Sequence, residues 1–456
     1  MNSGLRNKLF VMMILQFFIW GAWLPLIFSY LPAMGLSERE QQLILSAFPV
    51  AAIIGMFFSN QFADRNFAAE KFMAFSHLVG GLAMAGLAFV KFNRPAVAAG
   101  EVTRTIETHG PEGVKILSVA VGEAAPALYD SSFWLFFGLM SLHCLLYVPT
   151  ISIANSIAFS HMKNADKEFG FVRMGGTVGW ILAAWPIAYI LHGKAASQVI
   201  DATGNIFIIS GLASLGLAVF SLSLPHTPAN KAAGSDSLAW LKAAKLLAIP
   251  AIFILFVATF IDATIHNGYF VMAGSFIAKG LTAASIDPAW TTVVMSLGQV
   301  AEILTMMILG GVLAKLGWRT TLIFGILGHT ARFLIFALFP TQTWLIIGVQ
   351  FLHGICYAFF FATVYIYIDA VFPKDIRTSA QGLFNFLILG VGDLAAKWIF
   401  IPLTGKYVTG NGFEGYRELF LVPVGMSLFA AILLAFFFRP ATARPGSDSL
   451  ASAAPH

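Results

Sequence analysis

The chain has 456 residues, of which 58% are hydrophobic and 11% charged, with a mean hydropathy of +0.80. That balance excludes a soluble globular or disordered chain, and recurrent apolar runs of about 20 residues, enough to cross a bilayer core of about 30 Å, mark a polytopic α-helical membrane protein. The formal charge of +5 follows from basic loops, so no nucleic-acid partner is assigned.

The apolar pattern predicts twelve spans near 9–31, 41–62, 72–92, 131–160, 173–192, 204–224, 247–278, 289–314, 320–338, 343–369, 379–403 and 418–438. The first is long and lacks a small-residue cleavage pattern, so it reads as a retained helix. Within it Gln16, Trp20 and Trp23 share one helical face, which suits either an interhelical hydrogen bond or a ligand. Cys144 and Cys356 fall inside spans and suggest neither a disulfide framework nor a metal site. Span five repeats the spacing of span one with Arg173, Thr177 and Trp180. A guanidinium, a hydroxyl and an indole on one stripe suit a polar, ring-bearing ligand, although Arg173 near a span end could also snorkel to headgroups.

After span six the stretch from His226 to Ser237 is polar and contains Gly, Ser and Pro, as linkers do, which divides the chain into a bundle over 1–225, a linker over 226–246 and a bundle over 247–440. The segment 441–456 reads as a disordered tail. In the second half, span seven carries Asp262, His266 and Asn267, with Asp262 and His266 spaced to share a proton. Span eight carries Gln299 and Glu302 one turn apart. Glu302 lies near mid-membrane, where an acid either loads and releases a proton or is bonded to a buried donor such as Arg332. Span ten presents His353 and Tyr357 on one face. Span eleven places Asp393 and Lys397 at i, i+4, which reads most simply as an internal ion pair.

Orientation follows from the basic residues of short loops. Termini in the cytoplasm put the larger share of the 27 Lys and Arg residues inside and leave Arg173, Arg332 and Lys397 within the membrane. Ionisable groups there are expensive and mark function. Asn60 to Arg65 after span two and Gly311 to Arg319 after span eight occupy equivalent places in the halves, a weak internal symmetry expected of a transporter built from two six-helix bundles. The pair partly resembles the loop motif of the major facilitator superfamily (MFS). The chain thus reads as all-α, with an MFS fold of 6+6 helices around a central cavity.

The segments Leu15–Leu24, Tyr147–Thr150 with Asn155, Arg173–Trp180, Gln299–Glu302, Ala331–Phe333 and Ile376–Phe384 together resemble the nucleoside:proton symporter family of the MFS. That resemblance implies import of nucleosides across the bacterial inner membrane, driven by the proton gradient, by a protein working as a monomer with no cofactor. It also implies ligand contacts at Arg173, Thr177, Gln299 and Glu302. Asn267 and Phe270 stand where the family has Gln and Asn, Trp180 matches a family aromatic, and His353 and Tyr357 fall in the helix-ten pattern. The family's helix-ten aspartate is replaced by Ala358, which leaves Glu302, Asp262 or Asp393 to carry the proton, or alters the coupling. A carrier for another polar solute, such as a sugar or a modified nucleoside, is the nearer alternative. An integral-membrane enzyme is remote, since no metal-ligand spacing or nucleophile with a base is evident.

Overall fold

The computed structural model describes residues 3–55, 66–92, 105–110, 113–118, 129–163, 165–229, 245–372, 377–408 and 411–440. Asn60 to Arg65, most of the linker and of the long loop 93–130, and the tail 441–456 lie outside them.

Among the described residues nine helices are long and apolar enough to cross a membrane. In chain order the helices are α1 (Ser3–Ala33), α2 (Glu38–Ile54), α3 (Ala69–Leu87), α4 (Ser131–His161), α5 (Ala165–Leu191), α6 (Gln198–Ser221), α7 (Pro250–Ala283), α8 (Thr291–Leu338), α9 (Thr343–Val371), α10 (Ala380–Val408) and α11 (Gly412–Phe437). Local chemistry sets several of their starts. Ser37 and Glu40 form a capping box at α2, Asp130 caps α4 through the Phe133 amide, and Pro250 opens α7. A short antiparallel hairpin, Thr105–Gly110 with Gly113–Ser118, interrupts the long loop between α3 and α4. It lies in a loop and leaves the all-helical membrane architecture unchanged.

The helix α8 covers spans eight and nine. Its 48 residues would run about 72 Å if straight, more than twice a bilayer core. Gly317 breaks it with φ 71° and ψ 175°, a conformation essentially closed to other residues. The two legs then lie side by side, because His353 of α9 reaches both Gln299 and Arg332.

Helix α5 begins at Ala165 rather than at Arg173, so Arg173 sits about two turns inside it. Where α5 meets α1, a Cβ on Gly175 would come within 2.6 Å of the Phe10 carbonyl oxygen, and one on Gly179 would overlap the Ile14 carbonyl. This is the close approach that small residues four apart permit between membrane helices. The first half is further tied by hydrogen bonds around Gln16. Its side-chain amide donates to Thr150 (2.9 Å) and meets His77 through its oxygen (3.0 Å), its backbone carbonyl accepts from the Tyr147 hydroxyl (2.6 Å), and His77 continues to Ser214 (3.0 Å).

Polar contacts between the halves gather toward the face opposite the termini. There the Trp398 indole donates to Ser46 (3.0 Å) and the Thr292 hydroxyl to the Ala184 carbonyl (3.1 Å). Asp287 accepts from the Gly193 amide (2.9 Å) and meets His192 at 2.7 Å.

Candidate functional site

A cavity of about 310 Å3 lies between the halves, within the range of small-molecule sites. The first half contributes Arg173, Thr177 and Trp180 from α5, Trp20 from α1 and Asn155 from α4. The second contributes His266, Asn267 and Phe270 from α7, Gln299 and Glu302 from α8, and His353 and Tyr357 from α9. Gly55, Asn155, Tyr365 and Asn385 extend the lining toward the face that carries the termini. Two π-helical turns, Tyr357–Ala362 in α9 and Phe386–Val391 in α10, border the cavity. Such turns release carbonyls from the helical ladder. One of them, on Ile388, accepts the Asn267 amide (3.1 Å), which also donates to Ala263 (2.9 Å). The Asn267 carbonyl oxygen is therefore the atom left to meet a ligand.

Arg173 is half-buried, with its guanidinium carbon 4.3 Å from the Phe17 ring centre. That contact holds the cation while leaving its N–H donors uncommitted. Glu302 is half-buried on the facing helix, and neither charge has an ion-pair partner among the described residues. Arg332 is not bonded to Glu302: it reaches His353 (2.9 Å) and His329 (3.3 Å), and Tyr269 lies under its guanidinium (4.0 Å). The aromatic wall is built edge to face. Trp180 meets Trp20 at 5.4 Å and 81°, and Phe270 at 5.9 Å and 62°.

Three expected residues lie elsewhere. Gln16 is fully buried in the network described above, so packing rather than ligand contact is its place in this structure. Asp393 pairs with Lys397, and both are buried outside the cavity lining. Asp262 is also behind the wall, and its neighbour is His329 (Nε2 to Oδ1, 3.7 Å) rather than His266. The helix spacing suggested the i, i+4 partner, whereas the fold supplies one from the second leg of α8. Trp20, on the face shared with Gln16, lines the cavity, and so do Asn155, His266, Tyr365 and Asn385, which were not singled out as ligand residues. Trp20 and His266 shared polar stripes in the sequence. Tyr365 and Asn385 carried no such signal, since the hydrogen bond joining them crosses from α9 to α10.

A family model described as "Nucleoside H+ symporter" matches residues 3–96 and 115–443. Among curated relatives, the xanthosine permease of Escherichia coli (strain K12) is 26% identical over 457 residues, covering 96% of each chain. The nucleoside permease NupG of the same organism is 24% identical over 453 residues, again covering 96% of each. Among solved structures, the nucleoside transporter NupG superposes with a TM-score of 0.75 at 21% identity, over 96% of this chain and 100% of that one. A D-xylose-proton symporter gives 0.69 at 12% identity, over 97% and 99%. The fold is therefore that of the MFS transporters, and the match along nearly the whole chain places this protein in the nucleoside:proton symporter family.

Proposed function

We propose that a nucleoside is held between the halves, with Arg173 and Thr177 engaging one side and Gln299 and Glu302 the other, at the ribose hydroxyls. Those hydroxyls both donate and accept, as a guanidinium facing a carboxylate requires. Trp180 and Tyr357 stack on the base, beside Phe270, Asn267 and His353. Binding from both halves favours occlusion, since only then are all polar groups paired, and protonation of a buried acid permits reorientation. One observation carries this reading: Arg173 and Glu302 face the same cavity from different halves with no ion-pair partner among the described residues.

The 6+6 plan requires twelve passes. The nine long spans, the shorter α2 and α3 of 17 and 19 residues, and the break in α8 at Gly317 support that number. The bundles are 1–225 and 247–440. With both termini in the cytoplasm of a bacterial inner membrane, as the basic loops favour, the contacts of Asp287 and Trp398 close the outer side and the cavity opens inward. The protein works as a monomer in the bilayer, by analogy with the superfamily.

Calorimetric binding of adenosine, uridine and a sugar panel to the purified protein tests this placement. Arg173→Ala is expected to weaken nucleoside binding by about 10- to 100-fold, the loss of one charge-assisted hydrogen bond. Unchanged affinity in that variant, or preference for a sugar, would overturn the assignment.

A further inference from the structure

Behind the cavity wall lies a buried cluster that ligand contact does not explain. Asp262 of α7, His329 and Arg332 of the second leg of α8, and His353 of α9 are at most 3% exposed. Arginine has no acceptor, so both of its imidazole contacts assign tautomers. Arg332 Nη1 donates to His353 Nδ1 (2.9 Å) and Nη2 to His329 Nδ1 (3.3 Å). Each neutral ring then carries its proton on Nε2. On His329 that atom faces Asp262 Oδ1 at 3.7 Å, too long for a hydrogen bond. Both Asp262 oxygens are thus buried without a hydrogen-bond partner, which native interiors seldom leave unexplained.

Two demands oppose each other at this carboxyl. An apolar interior resists a bare carboxylate, while the permanent charge of Arg332 requires a counter-charge. Among the described residues the surroundings supply no other acid to the cluster. Asp393 and Lys397 on α10 satisfy each other, α11 offers the neutral Ser427 to Thr330, and Glu302 faces the cavity.

The cluster touches the cavity at two points. His353 Nε2–H faces the Gln299 side-chain amide at 3.5 Å, where the amide oxygen is the group able to accept it. His266, one turn from Asp262, lines the cavity with an unpartnered Nδ1, its ring centre 5.0 Å from that of His353 and 5.7 Å from that of His329. Building on nucleoside–proton symport, we propose that Asp262 carries the coupled proton, with Arg332 as its counter-charge and His266 as its port to the cavity.

In loading, an O–H bond of a hydronium ion in the cavity breaks and leaves water, the His266 ring accepts that proton on one nitrogen and releases the proton of the other, an O–H bond forms on Asp262, and the carboxylate charge is lost. Arg332 is then left without its counter-charge, and its field acts through His353 and Gln299 on the cavity wall. A ligand presenting acceptors there binds better, so proton and nucleoside favour each other's binding, as reciprocal linkage requires.

The test is Asp262→Asn in proteoliposomes with radiolabelled adenosine and uridine, measured as pH-gradient-driven accumulation and as counterflow without a gradient. Accumulation is expected to fall about tenfold while counterflow persists, with Asp262→Glu restoring accumulation. Nucleoside affinity in detergent should depend less on pH in Asp262→Asn than in the native protein, the remaining dependence being that of Glu302 in the cavity wall. Native-level accumulation by Asp262→Asn would overturn the assignment, and so would equal loss of counterflow, since Asp262 would then be holding structure. If the native protein itself fails to accumulate either nucleoside, it is the symport reading that fails.

Discussion

Gln16 and Arg173 show how two polar residues on similar helical stripes come to different ends. Gln16 meets Thr150 and His77 inside the first half, whereas Arg173 rests on Phe17 and faces the cavity. Gln16→Leu leaves buried partners unpaired and should cost about 1–3 kcal/mol of stability. It is read as a lower midpoint in thermal unfolding in detergent, with nucleoside affinity unchanged. Weaker nucleoside binding at native stability would move Gln16 into the ligand site. Residue type and spacing marked both positions as polar sites in an apolar span. They did not say which side of α1 or α5 faces the cavity, because that depends on the rotation of each helix against its neighbours.

At the scale of elements, glycines and π turns shape the wall. Gly317 lets α8 double back, which brings Gln299 and Arg332 to the same histidine. Gly317→Ala forces a side chain into a conformation open essentially to glycine, at about 1–3 kcal/mol. A drop in unfolding midpoint checks it, and native stability would show that the turn relaxes. Most helices were legible in advance because membrane length and hydropathy impose them. The π turns at Tyr357–Ala362 and Phe386–Val391 were not, since one extra residue per turn leaves little trace in an apolar sequence. Tyr365 and Asn385 escaped notice because their hydrogen bond joins α9 to α10. The pairing of Asp262 with His329 depends on the fold-back of α8, and no local spacing encodes it.

At the scale of the whole molecule, Asp287 joins the halves on the face opposite the termini. The Gly193 amide, then the Ala289 amide and His192, hold its carboxyl below the usual aspartate range. A lowered value means the contact is fully present above the ordinary value of about 3.9 and is lost as pH falls through the lowered one. The latch should therefore hold near neutrality and loosen in strong acid. Asp287→Asn should loosen it at neutral pH, read as faster labelling of a Thr292→Cys reporter by a membrane-impermeant maleimide. An unchanged labelling rate would show that Asp287 does not hold the halves together. The most direct measurement is the accumulation of labelled adenosine and uridine in proteoliposomes under an imposed proton gradient. Concentration above equilibrium is expected, abolished by an uncoupler and reduced in Arg173→Ala and Glu302→Gln; uptake indifferent to the gradient and to both substitutions would contradict it.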